Sequence, residues 1–178
     1  MRLPSLLMVV SASVAVMAAC TTPGGGAGTG GGAGSVEVSL AAKSGSAVTG
    51  SMHLSEHNGK LRLSGTVAGL EPNSEHGFHI HEKGDCSAED ASSAGGHFNP
   101  GASPHGSFSA AVHHAGDLPS LKADAKGVAK IDVVLSGVTL GDGPNSIRGR
   151  SLVVHGKADD FTTQPSGNSG PRVACGAI

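Results

Sequence analysis

Met52-His53-Leu54-Ser55-Glu56-His57-Asn58-Gly59-Lys60-Leu61-Arg62-Leu63 sets two alternations of apolar and polar residues about one dipeptide. Met52 and Leu54 alternate with His53 and Ser55, and Leu61 and Leu63 flank Arg62. Successive side chains of a strand point to opposite faces, so a period of two marks a half-buried strand. Asn-Gly tolerates the left-handed backbone of a two-residue turn, so Asn58-Gly59 predicts a tight hairpin. The same period continues outward. Val36, Val38 and Leu40 alternate with Glu37 and Ser39, and Ile131, Val133 and Leu135 repeat the pattern. No long segment has helical periodicity, and glycine-rich turn signals recur throughout. An all-β fold follows, an antiparallel sandwich or barrel.

Two stretches break the pattern. Residues 83–121 are rich in Gly, Ser, Ala and Pro, and residues 157–171 are similar. Long loops without elements of their own are uncommon in a compact domain unless they carry function. A bound metal would order the first of them in place of a core that its composition cannot build.

The N-terminal end has a different character. Residues 1–19 carry Arg2, an apolar run from Leu3 to Val16, and Met17-Ala18-Ala19 before Cys20. That is the pattern of a secretory signal peptide, too short to span a bilayer. A small-small-Cys ending resembles the bacterial lipoprotein signal, which predicts a lipidated Cys20 and membrane attachment; the alternative is ordinary cleavage near Ala19. Residues 23–34, PGGGAGTGGGAG, read as a flexible tether, so residues 20–34 link the anchor to a folded domain over residues 35–178. Export predicts a disulfide. There are three cysteines, and if Cys20 is lipidated, Cys86 and Cys175 are the pair left. The alternative is two free thiols. Removal of Arg2 leaves 11 basic and 14 acidic residues, a formal charge of −3. With no basic block, no Trp and no Tyr, nothing points to nucleic acid.

The chemistry lies between residues 79 and 155. There the chain carries His79-Ile80-His81, His97, His105, His114-Ala115-Gly116-Asp117 and His155. Four nitrogens suit copper, and three nitrogens with a carboxylate suit zinc. Seven ligands are one short of two four-coordinate sites. The shortfall disappears if one imidazole binds a metal through each ring nitrogen. His79 and His81 share one face of a predicted strand, and His155 ends another, Ser151-Leu152-Val153-Val154.

The motifs Gly77-Phe78-His79-Ile80-His81, Gly95-Gly96-His97-Phe98-Asn99-Pro100, Gly116-Asp117-Leu118, Gly149-Arg150-Ser151-Leu152-Val153-Val154-His155 and Gly170-Pro171-Arg172-Val173-Ala174-Cys175-Gly176 resemble those of the copper/zinc superoxide dismutases. The short interval from His81 to Cys86 resembles the bacterial, exported branch. The resemblance implies a Greek-key flattened barrel of immunoglobulin-like layout with two long functional loops, in a periplasmic lipoprotein. It implies copper held by His79, His81, His97 and His155, and zinc held by His97, His105, His114 and Asp117. His97 is then the bridging imidazolate. His113 is the neighbour that competes with His114. Asp159 matches a carboxylate that hydrogen-bonds one copper and one zinc histidine, expected to be His79 and His105. Arg172 matches the arginine beside the copper channel. His53, His57 and His76 match no ligand and are expected to be surface or structural.

The activity implied is disproportionation of superoxide anion to dioxygen and hydrogen peroxide, with His97 and Arg172 as the catalytic side chains. Residues 161–171 carry no charge, so Lys83 and Lys157, near ligands in sequence, are candidates for steering the anion. One alternative is an exported copper/zinc scavenger without turnover. Another is a structural domain on a sandwich scaffold, since folds do not fix function. Monomer and homodimer both stay open.

Overall fold

The computed structural model describes residues 34–178. The expectations for the signal segment, the lipidated Cys20 and most of the tether lie outside the described residues. Nine strands follow in order. They are β1 (Ser35–Ala42), β2 (Thr49–His57), β3 (Lys60–Ala68), β4 (Glu75–His76), β5 (Phe78–His81), β6 (Leu121–Lys122), β7 (Ala129–Leu135), β8 (Ser151–His155) and β9 (Arg172–Ala177). Seven form one sheet in the order β5-β8-β9-β1-β2-β3-β7, and β4 pairs with β6. Every named pairing is antiparallel. After β3, next to one end of the sheet, the chain crosses to the opposite end with β5 and later returns to pair β7 with β3, which gives the Greek-key crossing of an all-β barrel.

The β2–β3 hairpin closes on Asn58 and Gly59, both at positive φ (50° and 70°), with His57 opposite Lys60. Val38, Leu40, Met52, Leu54, Leu61 and Leu63 point inward and are buried in one core. On β7 the polar face stays outside, and Val134 is the one large apolar side chain it exposes.

β5 and β8 depart from this rule because every residue of both is buried. Phe78, Ile80, Leu152 and Val154 enter the core. The opposite parity, His79, His81, Val153 and His155, faces outward and is covered by the two long loops, residues 82–120 and 156–171. Val153 packs there with Ala91, Ala94 and Cys175. A disulfide joins Cys86 to Cys175 across 89 positions, with Cα atoms 5.8 Å apart, and so ties the first loop to β9.

Candidate metal centre

The first long loop is pinned to β5 by its own backbone. Ile80 N donates to Gly116 O, and Phe98 N donates to Ile80 O, each at 2.8 Å. Gly116 N then donates to Phe98 O at 2.8 Å, and Glu82 N to Gly96 O at 2.9 Å. These bonds make two short runs of loop behave as added strands beside β5. Phe98 and Leu118 turn into the core, so the residues before them, His97 and Asp117, turn outward. The approach is close. A Cβ on Gly116 would lie 2.3 Å from Ile80 O, so only glycine allows it. On the other side, the β8–β9 register shifts at Val154/His155 and leaves His155 opposite Arg172. Such a bulge re-aims side chains at a sheet end.

Two groups of ligand atoms result, each mutually within 4.8 Å: His79, His81, His97 and His155, and His97, His105, His114 and Asp117. His97 belongs to both. All seven residues are buried.

Each ring of the first group turns one nitrogen to a carboxylate or carbonyl oxygen and the other toward the remaining rings of the group. His79 Nε2 donates to Asp159 Oδ2 at 2.8 Å, His81 Nδ1 to Gly95 O at 2.9 Å, and His155 Nδ1 to Gly170 O at 3.3 Å. That leaves lone pairs on His79 Nδ1, His81 Nε2 and His155 Nε2, the last two facing each other at 3.3 Å. His79 Nδ1 and His97 Nε2 are buried with no hydrogen-bond partner at all. Buried polar atoms are rarely orphaned, and here the lone pairs converge. Burial pushes the His79 ring down to about 4, His81 to about 2 and His155 to about 3, with nearby imidazoles adding to the effect. These three rings are therefore neutral near pH 7, as metal binding requires.

In the second group, Nδ1 of His97, His105 and His114 lie 3.0, 3.0 and 3.2 Å from Asp117 Oδ1. His97 Nδ1 and His114 Nδ1 are 3.3 Å apart. Ligand atoms about 2.0 Å from a tetrahedral ion stand about 3.3 Å apart, so these separations are those of a zinc-type set. Asp117 Oδ2 is fixed by the amides of Gly106 and His114, at 3.1 and 2.8 Å. Burial would raise the Asp117 carboxyl, but hydrogen bonds from His97, Gly106 and His114 outweigh it and hold it below the usual carboxylate range. His105 Nε2 donates to Asp159 Oδ1 at 2.9 Å. Burial opposes charge on this ring, yet Asp159 and Asp117 raise its value. Asp159 thus spans the two groups through His79 and His105. Both donor sets fit the metals they would hold.

A cavity of about 390 Å³ opens over the first group, lined in part by His97, His155, Pro165, Ser166 and Arg172. Arg172 Nη1 and Nη2 donate to Ala91 O and Gly95 O, both at 2.6 Å, which fixes the guanidinium at the wall. It is the one Lys or Arg of the lining; Lys83 and Lys157 are exposed and do not line the cavity.

His113 belongs to neither group: its Nδ1 donates to His114 O at 2.6 Å. His53 and His57 lie on β2, away from the site, with His53 Nδ1 against Glu37 Oε1 at 2.6 Å. His76 is buried, and its Nδ1 donates to His155 O at 2.8 Å, a support for that ligand which no spacing announced. The contacts of Gln164, and of Asn99 within its motif, had no signal in the sequence either. Asn99 pairs with both main-chain polar groups of Ser103, at 3.0 and 2.8 Å, and Gln164 does the same with His105. Amide side chains bonded to main chain leave no periodic trace.

Two adjoining groups of four candidate ligands with His97 in common, on an antiparallel barrel, could hold two metal ions. Residues 48–178 match the family described as copper/zinc superoxide dismutase (SODC). The chain is 42% identical to superoxide dismutase (Cu-Zn) 2 of Aquifex aeolicus, over 74% of this chain and 79% of that protein. It is 41% identical to the extracellular superoxide dismutase (Cu-Zn) of Brugia pahangi, over 74% of this chain and 69% of that protein. The crystal structure of a double mutant of a SOD-like protein from Bacillus subtilis superposes with a TM-score of 0.73 at 40% identity, covering 80% of this chain and 95% of that one. The chain belongs to the copper/zinc superoxide dismutase family. Membership brings with it superoxide dismutase activity and the two metals, copper and zinc.

Proposed function

We propose that this chain disproportionates superoxide to dioxygen and hydrogen peroxide outside the cytoplasm, at a copper site joined to a zinc site by the imidazolate of His97. The observation that carries this reading is the His97 ring, whose Nε2 is an orphan among the copper-type donors and whose Nδ1 sits among the zinc-type donors. His79, His81, His97 and His155 would hold copper, and His97, His105, His114 and Asp117 would hold zinc. When bound, copper supplies the alternation of oxidation state that takes an electron from one superoxide and gives it to a second, while zinc keeps a fixed charge.

The rest is done by side chains. Arg172 draws the anion to the wall of the cavity. Two of its five N–H groups are engaged by carbonyls, and the remainder are free to bind a small anion. His97 Nε2 would take up a proton in the half-cycle that releases dioxygen and return it in the half-cycle that forms hydrogen peroxide, for which solvent supplies the second proton. Asp159 holds the tautomers of His79 and His105 and so the orientation of one ring in each set. A scavenger would need neither a fixed guanidinium at the cavity nor a carboxylate linking the sets.

Residues 1–19 would direct export, Cys20 would carry the lipid, and residues 20–34 would tether the domain at 35–178. The extracellular relative supports export. Replacing Cys20 by Ala is expected to move the protein from the membrane fraction to the soluble one; an unchanged fractionation would refute the anchor.

The shared ring has its own test. In wild type, adding zinc to the copper-loaded protein should shift the visible absorption of copper. His97→Ala should abolish that response and most of the activity, while His113→Ala should retain both. Equal effects from the two changes would overturn the ligand assignment.

A further inference from the structure

The wall of the cavity formed by Pro165 and Ser166 follows directly on Gln164, whose side-chain amide is paired with the main chain of His105. His105 N donates to Gln164 Oε1 at 2.8 Å, and Gln164 Nε2 donates to His105 O at 3.0 Å. We propose that Gln164 is a positioning residue, fastening the channel-lining turn to the backbone of His105 so that the width of the channel mouth and the zinc site are set together.

Three observations carry this. First, among the described residues every hydrogen bond that passes between the loops 82–120 and 156–171 ends on His105: two come from Gln164 and one from Asp159. His105 is thus the only polar rivet between them, held by its ring from Asp159 and by its main chain from Gln164. Second, the turn that Gln164 belongs to is closed on itself. Gly167 N donates to Thr163 O at 2.7 Å and Asp160 N to Gly167 O at 2.9 Å, so the turn moves as a unit when its attachment is lost. Third, the far end of that turn leans on the same histidine. A Cβ at Gly167, which has φ of 65°, would fall 2.7 Å from His105 Nε2. The turn therefore wraps His105 from both sides, and Pro165 and Ser166 are carried into the lining between these two fixed points.

The amide is needed as an amide. A carboxylate in its place accepts from His105 N but has no hydrogen for His105 O, and an alanine offers neither. A neutral clamp also suits a segment without charge, because its pairing does not weaken with salt as an ion pair does.

The inference rests on the assignment of the His105 set to zinc, and the experiment separates the two. Zinc affinity of wild type, Q164A and Q164E is measured by competition with a chromogenic chelator. Azide binding to copper is followed in the visible spectrum with both metals saturating, and amide exchange of His105 is read by mass spectrometry or NMR. T162A, an exposed neighbour in the same turn, serves as the control. For Q164A the expected result is zinc affinity lower by about tenfold, the low end for residues that support a metal ligand. Faster exchange at His105 and a changed azide affinity should accompany it. Q164E should fall between wild type and Q164A, with T162A like wild type. The azide shift is the reading that a merely structural role would not move. Wild-type zinc and azide affinities in Q164A, or in Q164E where Q164A does not fold, would overturn the proposal. Failure of the wild type to take up zinc would instead sink the zinc assignment.

Discussion

Acid should unfold the metal-free protein in a pH range where most proteins are still at ease, and the buried rings say by how much. His79, His81 and His155 are held by burial at about 4, 2 and 3 in the folded chain, against an ordinary 6.5. A base whose folded value is depressed contributes stability that is complete above its unfolded value. That stability is lost as pH falls from there toward the folded value, because the unfolded chain binds the proton first. Between pH 6.5 and 5 each ring therefore costs the fold about 2 kcal/mol, at about 1.4 kcal/mol per pH unit. The sum, about 6 kcal/mol, is an upper limit because the rings feel one another and titrate together. His105, whose value is raised by its carboxylate partners against the pull of burial, works in the other direction and offsets part of it. Asp117 and Asp159 lie below the ordinary carboxylate range, so their contributions stay intact until pH falls below about 4. A net loss of a few kcal/mol is a large share of the 5–15 kcal/mol that usually holds a domain together, on the order of a third or more. The assay is urea unfolding of the chelator-stripped protein at pH 7 and pH 5 with the disulfide intact. The copper- and zinc-loaded protein should lose much less, since bound metal keeps the rings deprotonated. Equal unfolding free energies for the stripped protein at the two pH values would refute the reasoning.

Further perturbations test single contacts. Gly167→Ala puts a Cβ 1.8 Å from Asp159 Oδ1 at a φ of 65°, so the Asp159–His105 bond must break. Zinc affinity should fall by about tenfold or more while copper stays bound, and an unchanged zinc titration would count against the role given to Asp159. His76→Phe leaves the buried carbonyl of His155 without its donor, which should cost about 1–3 kcal/mol of stability and weaken copper more than zinc. Copper competition titrations decide it; a variant that loosens both metals alike would make His76 a general packing residue. Replacing Cys86 and Cys175 together by Ser opens a loop of 89 residues, for a loss of about 4–5 kcal/mol in the chain-entropy picture. A drop in urea midpoint too small to measure would mean that the metal-free unfolded chain is already constrained there.

What could be read from the chain alone follows the parity of its strands. The hairpin at 52–63 was legible because one face of that sheet meets water, so Met52, Leu54, Leu61 and Leu63 alternate cleanly with polar neighbours. β5 and β8 obey the same parity but have no wet face, since the loops cover it. Their outward residues are histidines instead of solvated side chains, and this is why His79 and His81 announced a site. His97 and Asp117 were legible as a motif, yet the cause of their placement, the main-chain bonds from β5 and the close pass of Gly116, carries no side-chain signature. Gln164 and His76 share that invisibility, for each acts on a carbonyl or amide that every residue possesses. Lys83 and Lys157 show the converse. Their nearness to ligands along the chain suggested a part in guiding the anion, and both stay in solvent outside the lining, where only a long-range field is open to them; Arg172, seventeen positions beyond His155, is brought opposite it by the bulge in β9. Periodicity reports which face a side chain takes. Which backbone it will hold depends on where the loops come to rest, and in this protein the first loop rests on β5 and the second on His105 of the first.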